Sequence, residues 1–75
     1  MRTGYVIRDK ERRGYFGARY REDGSEPVSV YVKEMDEAMA WGNLGEAKRL
    51  AKLLRAESRH PDGIRIIDPR GRVVY

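Results

Sequence analysis

The order of apolar runs predicts an α+β two-layer sandwich: a mostly antiparallel sheet of β-β-β-α-β-β order with one long amphipathic helix on one face. Three observations carry this. Residues 28–32, VSVYV, alternate strictly; leucine and alanine recur at helical spacing from residue 44 onward; and turn signals separate the remaining β-branched runs. With 75 residues there is room for one helix on one sheet and little more, so 1–75 is read as a single compact domain.

The elements follow in chain order. GYVIR and GYFGARY are short β-branched and aromatic runs separated by the charged DKERR, the pattern of a hairpin with a loop of several residues. Gly14 and Gly17 weaken the second run as an isolated strand and point to a bulge or a close neighbour at Gly17. REDGSEP is a turn with Asp23-Gly24 at its tight point. In PVSVYV, Val28, Val30 and Val32 share one face, while Ser29 and Tyr31 share the other. Residues 33–42, KEMDEAMAWG, form one helical turn or an irregular crossover, with Met39 and Trp41 expected to reach the core.

Asn43, followed three residues later by Glu46, fits the spacing of a capping box, so the helix starts at Leu44. Leu44, Ala47, Leu50, Ala51 and Leu54 form its apolar stripe, and it fades near Ser58 or Arg59 because Pro61 cannot continue it. IRIID and RVVY, joined by Pro69-Arg70-Gly71, are expected to form a second hairpin.

Composition narrows the chemistry. The apolar residues (40%) are periodic, which favours a globular fold over disorder despite 37% charged residues. There is no cysteine, which removes disulfides and thiolate chemistry and favours a cytoplasmic home. No apolar run approaches the roughly 20 residues that span a bilayer, and MRTGYVIRDK has no apolar signal-peptide core, so no membrane partner is expected. Charge is segregated: residues 1–21 hold seven basic and two acidic side chains, 22–42 one and six, and 43–75 eight and four. A dipolar surface of this kind suits an anionic partner, and it equally suits self-association as a homodimer.

The helix carries Lys48, Arg49, Lys52, Arg55 and Arg59. At about 100° per residue, Lys48, Lys52, Arg55 and Arg59 fall in a sector roughly 60° wide, with Arg49 a little further round. Like charges so spaced cost a few tenths of a kcal/mol per pair, roughly, unless something anionic lies across them. Two roles fit this ridge: a solvated exterior whose long stems cover the core edge, or a docking surface for phosphates or carboxylates. Arg8, Lys10, Arg12, Arg13, Arg19 and Arg21 add a second basic region on the first hairpin. Tyr15, Tyr20 or Tyr31 would serve as a stacking platform for single-stranded nucleic acid if they faced away from the helix.

Catalytic constellations are not evident. His60 is the sole histidine, and Ser25, Ser29 and Ser58 lack an elbow motif. Glu34, Asp36 and Glu37 lack the alternating ligands of a calcium loop and read as a solvated or partner-facing acidic patch. No catalytic residue, cofactor or metal is expected.

The run LGEAKRLAKLLRAESRHPDGIRIIDPRGRVVY, within residues 43–75, with YVI at 5–7 as the opening strand, resembles the helix and following hairpin of very small phage and mobile-element proteins, including some type I anti-CRISPR proteins. The resemblance implies a non-enzymatic inhibitor, in the host cytosol, that docks on a CRISPR effector complex and blocks its nucleic-acid engagement. Many such inhibitors are acidic mimics of DNA, and this chain departs from them in being basic. The surface expected to carry the contact is Lys48, Arg49, Lys52, Arg55 and Arg59, supported by Arg12 and Arg13, with Glu34, Asp36 and Glu37 as a second patch. The alternatives are a stand-alone module binding DNA or RNA and a structural or oligomerisation subunit.

Overall fold

The computed structural model describes residues 4–21, 23–24 and 26–75; Glu22 and Ser25 of the predicted turn lie outside the described residues. Four strands, β1 (Val6–Asp9), β2 (Gly14–Tyr20), β3 (Val28–Val32) and β4 (Ile64–Ile67), form one antiparallel sheet in the order β3-β2-β1-β4. One long helix, α1 (Leu44–Glu57), packs on one face. The protein is therefore α+β.

The helix begins where the sequence places it. Asn43 Oδ1 accepts the N–H groups of Gly45 at 2.7 Å and Glu46 at 3.4 Å, satisfying two of the donors that a first turn leaves open. Ala47, Ala51 and Leu54 of α1 are buried against Ile7, Phe16, Ile64 and Ile66, and Leu44, Leu50, Tyr31, Trp41 and Tyr75 close the edges of this core. Phe16 is its largest fully buried side chain and meets Tyr31 edge-on, with ring centroids 6.0 Å apart.

Alternation holds in β3, and its register decides which side is inward. Phe16 faces α1 and pairs with Tyr31, so Tyr31 and Ser29 turn toward the helix, and the three valines turn away from it. Val28 and Val30 remain exposed. The register of β2 against β3 slips between Phe16 and Ala18, which puts a bulge at Gly17 as the glycine suggested. At Gly14 only glycine fits, because a Cβ there would lie 2.7 Å from the Val32 carbonyl oxygen.

Two departures concern the connections. The paired residues of β1 and β2 are only Arg8 with Tyr15 and Asp9 with Gly14. The crossover after β3, with a single 3-10 turn at Met35–Glu37, enters the fork beyond them. Met39 N–H donates to Phe16 O at 3.0 Å, and Tyr5 and Trp41 exchange two backbone bonds of 2.8 and 2.9 Å. Trp41 packs on Phe16 as expected, but Met39 does not reach the core: its N–H makes the inward contact and its side chain is 44% exposed. The final run, RVVY, returns along β4 without becoming a fifth strand. One bridge, Ile67 to Val73, and the bonds Asp68 N–H to Arg72 O and Val74 N–H to Ile66 O hold it. Val73 and Val74 are exposed, so there is little apolar burial to extend the ladder.

Candidate functional site

Within the predicted helix ridge, two of the five cations are engaged with Tyr75. Arg55 is drawn inward: its guanidinium donates to the carbonyl oxygens of Ile64 (2.8 Å) and Tyr75 (2.7 Å) and lies 4.2 Å from the Tyr75 ring centroid. Lys48 leans over the same ring at 5.1 Å. Arg49 and Lys52 are exposed on α1, and Arg59 stands beyond its end, because Ser58 already has extended dihedrals. Of the five cations, Arg55 and Lys48 pack on Tyr75, and Arg49, Lys52 and Arg59 are exposed.

The hairpin cations divide between the two sides of the sheet. On the helix side, Arg12 sits 5.0 Å from the Tyr31 ring centroid and 3.7 Å from Asp9 Oδ2. Arg19 makes a two-pronged pair with Glu57, at 2.7 and 3.0 Å, and also donates to Ser29 Oγ at 3.0 Å. The hydrogen bond from Arg19 holds the Glu57 carboxyl below its ordinary value. These groups border a cleft of about 480 Å³ whose lining includes Asp9, Glu11, Arg12, Tyr31, Glu57 and Arg59. Burial, with the Asp9 charge adding to it, raises the Tyr31 phenol above its ordinary value. Signs alternate around this cleft and largely cancel.

On the opposite side they do not cancel. Arg8 and Tyr15 are cross-strand partners facing away from α1, since their neighbours Ile7 and Phe16 face it. Lys10 and Arg13 rise from the β1–β2 turn, and Lys33 follows Val32, the β3 partner of Tyr15. Together Arg8, Lys10, Arg13, Tyr15 and Lys33 line a groove of about 460 Å³. None of these four cations has an ion pair with a described residue. The one acid at the groove, Asp9, is buried, and its Oδ1 accepts the N–H groups of Glu11 and Arg12, which shapes the turn. Across the next ladder Arg8 stands directly opposite Arg65, an arrangement that is unfavourable until an anion bridges it.

Arg13 holds φ at +54°, a left-handed conformation that costs an arginine about 1 kcal/mol. Strain of this kind gathers where a side chain is needed in place. Sequence reading found the hairpin cations and missed Lys33, although a lysine directly after an alternating strand antiparallel to Tyr15 was the signal that could have placed it. Of the three tyrosines considered for stacking, Tyr15 and Tyr20 face away from the helix, and Tyr31 faces it.

The acidic residues Glu34, Asp36 and Glu37 sit exposed at the 3-10 turn. Among the described residues no group of three or more histidine or carboxylate side chains is placed to hold a metal ion, the acidic turn included. No helix among them is long and apolar enough to cross a membrane. No family model, curated protein or solved structure matches this chain.

Proposed function

We propose that the protein is a non-enzymatic nucleic-acid-binding module that grips the phosphate backbone of a strand in the groove between Arg8, Lys10, Arg13 and Lys33, with the Tyr15 ring offered to a base. The observation that carries this reading is the convergence of four unneutralised cations on one groove beside an aromatic ring. Phosphate contacts of this kind supply affinity without sequence preference, and a ring on a sheet face adds stacking to an unpaired base. Anisotropy titration of a labelled single-stranded oligonucleotide over a salt series tests it. Affinity should fall linearly on a log–log plot, with a slope near 0.7 per phosphate contacted. Absence of binding at low salt would sink the proposal.

A second reading, an inhibitor that docks on a host nucleoprotein such as a CRISPR effector, is favoured by the acidic turn. Glu34, Asp36 and Glu37 are exposed and have no ion pair with a described residue, so they offer an anionic contact to a basic groove. Nuclease-resistant capture of a purified effector complex, weakened by charge reversal at these three positions, would select this reading over the first.

A further inference from the structure

We infer that the bound oligonucleotide crosses the sheet from β3 to β4 along one row of residues, Val32, Tyr15, Arg8 and Arg65, and that Arg65, which lies outside the groove, holds its last phosphate. The inference rests on the reading of the groove as a nucleic-acid site and adds to it the path of the nucleic acid and a further contact residue.

The row follows from three registers. Val32 pairs with Tyr15, Tyr15 with Arg8, and Arg8 with Arg65, so one residue from each of the four strands stands in line. Partners across an antiparallel ladder share a face, and Ile7, Phe16 and Ile66 occupy the helix side, so these four side chains project from the other. At about 4.8 Å between neighbouring strands, the row is roughly 14 Å from end to end. Lys33 stands at its β3 end within the groove, and Arg65 extends the line of cations beyond the groove at its β4 end.

Among the described residues no other row on this face crosses the whole sheet. Past Arg8 and Tyr15, β1 and β2 have no further pairing, and Met39 and Trp41 of the crossover enter between them. The next residues of the same face on β1 and β4, Val6 and Ile67, are 0% and 2% exposed, which leaves a ligand nothing to touch there. The alternative path runs along β2 and β3 toward Tyr20. It passes Ala18, Val30 and Val28, which carry no charge, and it ends where Arg21 is accompanied by the acids Asp23 and Glu26. A polyanion is therefore drawn across the strands and not along them.

Arg65 is prepared for the contact. It is exposed, its Nε donates to the Asp62 carbonyl oxygen at 3.0 Å, and its terminal nitrogens bond no described residue. The guanidinium is thus held at one edge and open at the other, where it can take a phosphate in two-pronged fashion. Directly opposite Arg8, it also bears a like-charge cost that a phosphate between them removes.

Anisotropy titration of a labelled oligothymidylate over a salt series tests the path, with Arg65→Gln, Arg65→Lys, Tyr20→Ala and Arg49→Gln as variants. All three positions are exposed, and circular dichroism checks that each variant is folded. Arg65→Gln should weaken binding severalfold at low salt and lower the slope by about 0.7, the loss of one phosphate contact. Arg65→Lys should keep the slope, since the contact needs a positive charge there. Arg49→Gln makes the same charge change on the helix side of the sheet, and it and Tyr20→Ala should bind as the unmodified chain does. A slope unchanged by Arg65→Gln, in a chain that itself binds with salt dependence, overturns the path and leaves the groove reading intact. Equal weakening by Tyr20→Ala sends the nucleic acid along β2 and overturns the path as well. An unmodified chain that does not bind removes the groove reading, and the path with it. Thermal unfolding of the free protein gives a readout independent of nucleic acid: Arg65→Gln should raise the melting temperature at low ionic strength, and the gain should shrink as salt is added. No gain at any salt would mean that the two guanidiniums do not oppose each other, and would overturn the row.

Discussion

Arg55 and Tyr75 form a clamp: the guanidinium lies 4.2 Å from the ring centroid and donates at 2.7 Å to the carbonyl oxygen of the same residue. A second fork of the same side chain reaches Ile64 O, so one residue of α1 ties the start of β4 to residue 75. The planar guanidinium does both at once, and an ammonium cannot.

Arg55→Lys is therefore expected to destabilise the fold by about 1 to 2 kcal/mol although the charge is kept. Urea unfolding followed by circular dichroism measures this. A change within roughly 0.5 kcal/mol, the range of ordinary surface substitutions, would mean that the clamp contributes little.

Charge reversal should separate the groove from the ridge. Arg8→Glu and Lys10→Glu are each expected to weaken oligonucleotide binding and to lower the salt slope by about 0.7, as one phosphate contact is lost. Arg49→Glu and Lys52→Glu, on the exposed face of α1, should alter the long-range field and leave that slope nearly unchanged. If the helix pair lowers the slope and the hairpin pair does not, the binding surface has been assigned to the wrong side of the sheet.

Local patterns carried much of this fold. The helix start at Leu44, the Ala47–Ala51–Leu54 stripe, the alternation of β3 and the irregularity at Gly17 all depend on neighbours within a few residues, and each is present in the structure. What the sequence did not yield depends on distant neighbours. Only the pairing of Phe16 with Tyr31 decides that the valines of β3 turn away from the helix. The fork between β1 and β2 opens because residues far along the chain, Met39 and Trp41, supply its hydrogen bonds. Charge clusters are the least legible. Arg55 looks like part of a surface ridge until Ile64 O and Tyr75 appear beneath it, and Lys33 looks isolated until β3 carries it to Tyr15.

The Arg19–Glu57 pair ties β2 to the end of α1 and makes stability depend on pH. Because the folded pKa of Glu57 is depressed, its contribution is present above the ordinary value of 4.5 and is lost as pH falls through the lower folded value. Glu57 is half exposed, so solvent screens the pair and its worth is roughly 0.5 to 1 kcal/mol. Glu57→Gln should remove that amount at pH 7 and leave stability below the folded pKa almost unaltered. Carboxyl titration by NMR should place Glu57 below 4.5; a value at or above it would contradict the pairing.

Arg13 offers the sharpest test of whether the groove is functional, because stability and binding should move in opposite directions there. Its φ of +54° suits glycine, which reaches that region without a Cβ clash. Arg13→Gly removes the strain and adds some freedom to the unfolded chain, for a net gain of about 0.5 to 1 kcal/mol. The same change deletes one of the four cations of the groove, so affinity for the oligonucleotide should fall severalfold and its salt slope should flatten. A variant that is more stable and binds more weakly marks an arginine kept at a strained turn for its charge. A variant that is more stable and binds as before would show that the left-handed arginine serves neither the fold nor the ligand.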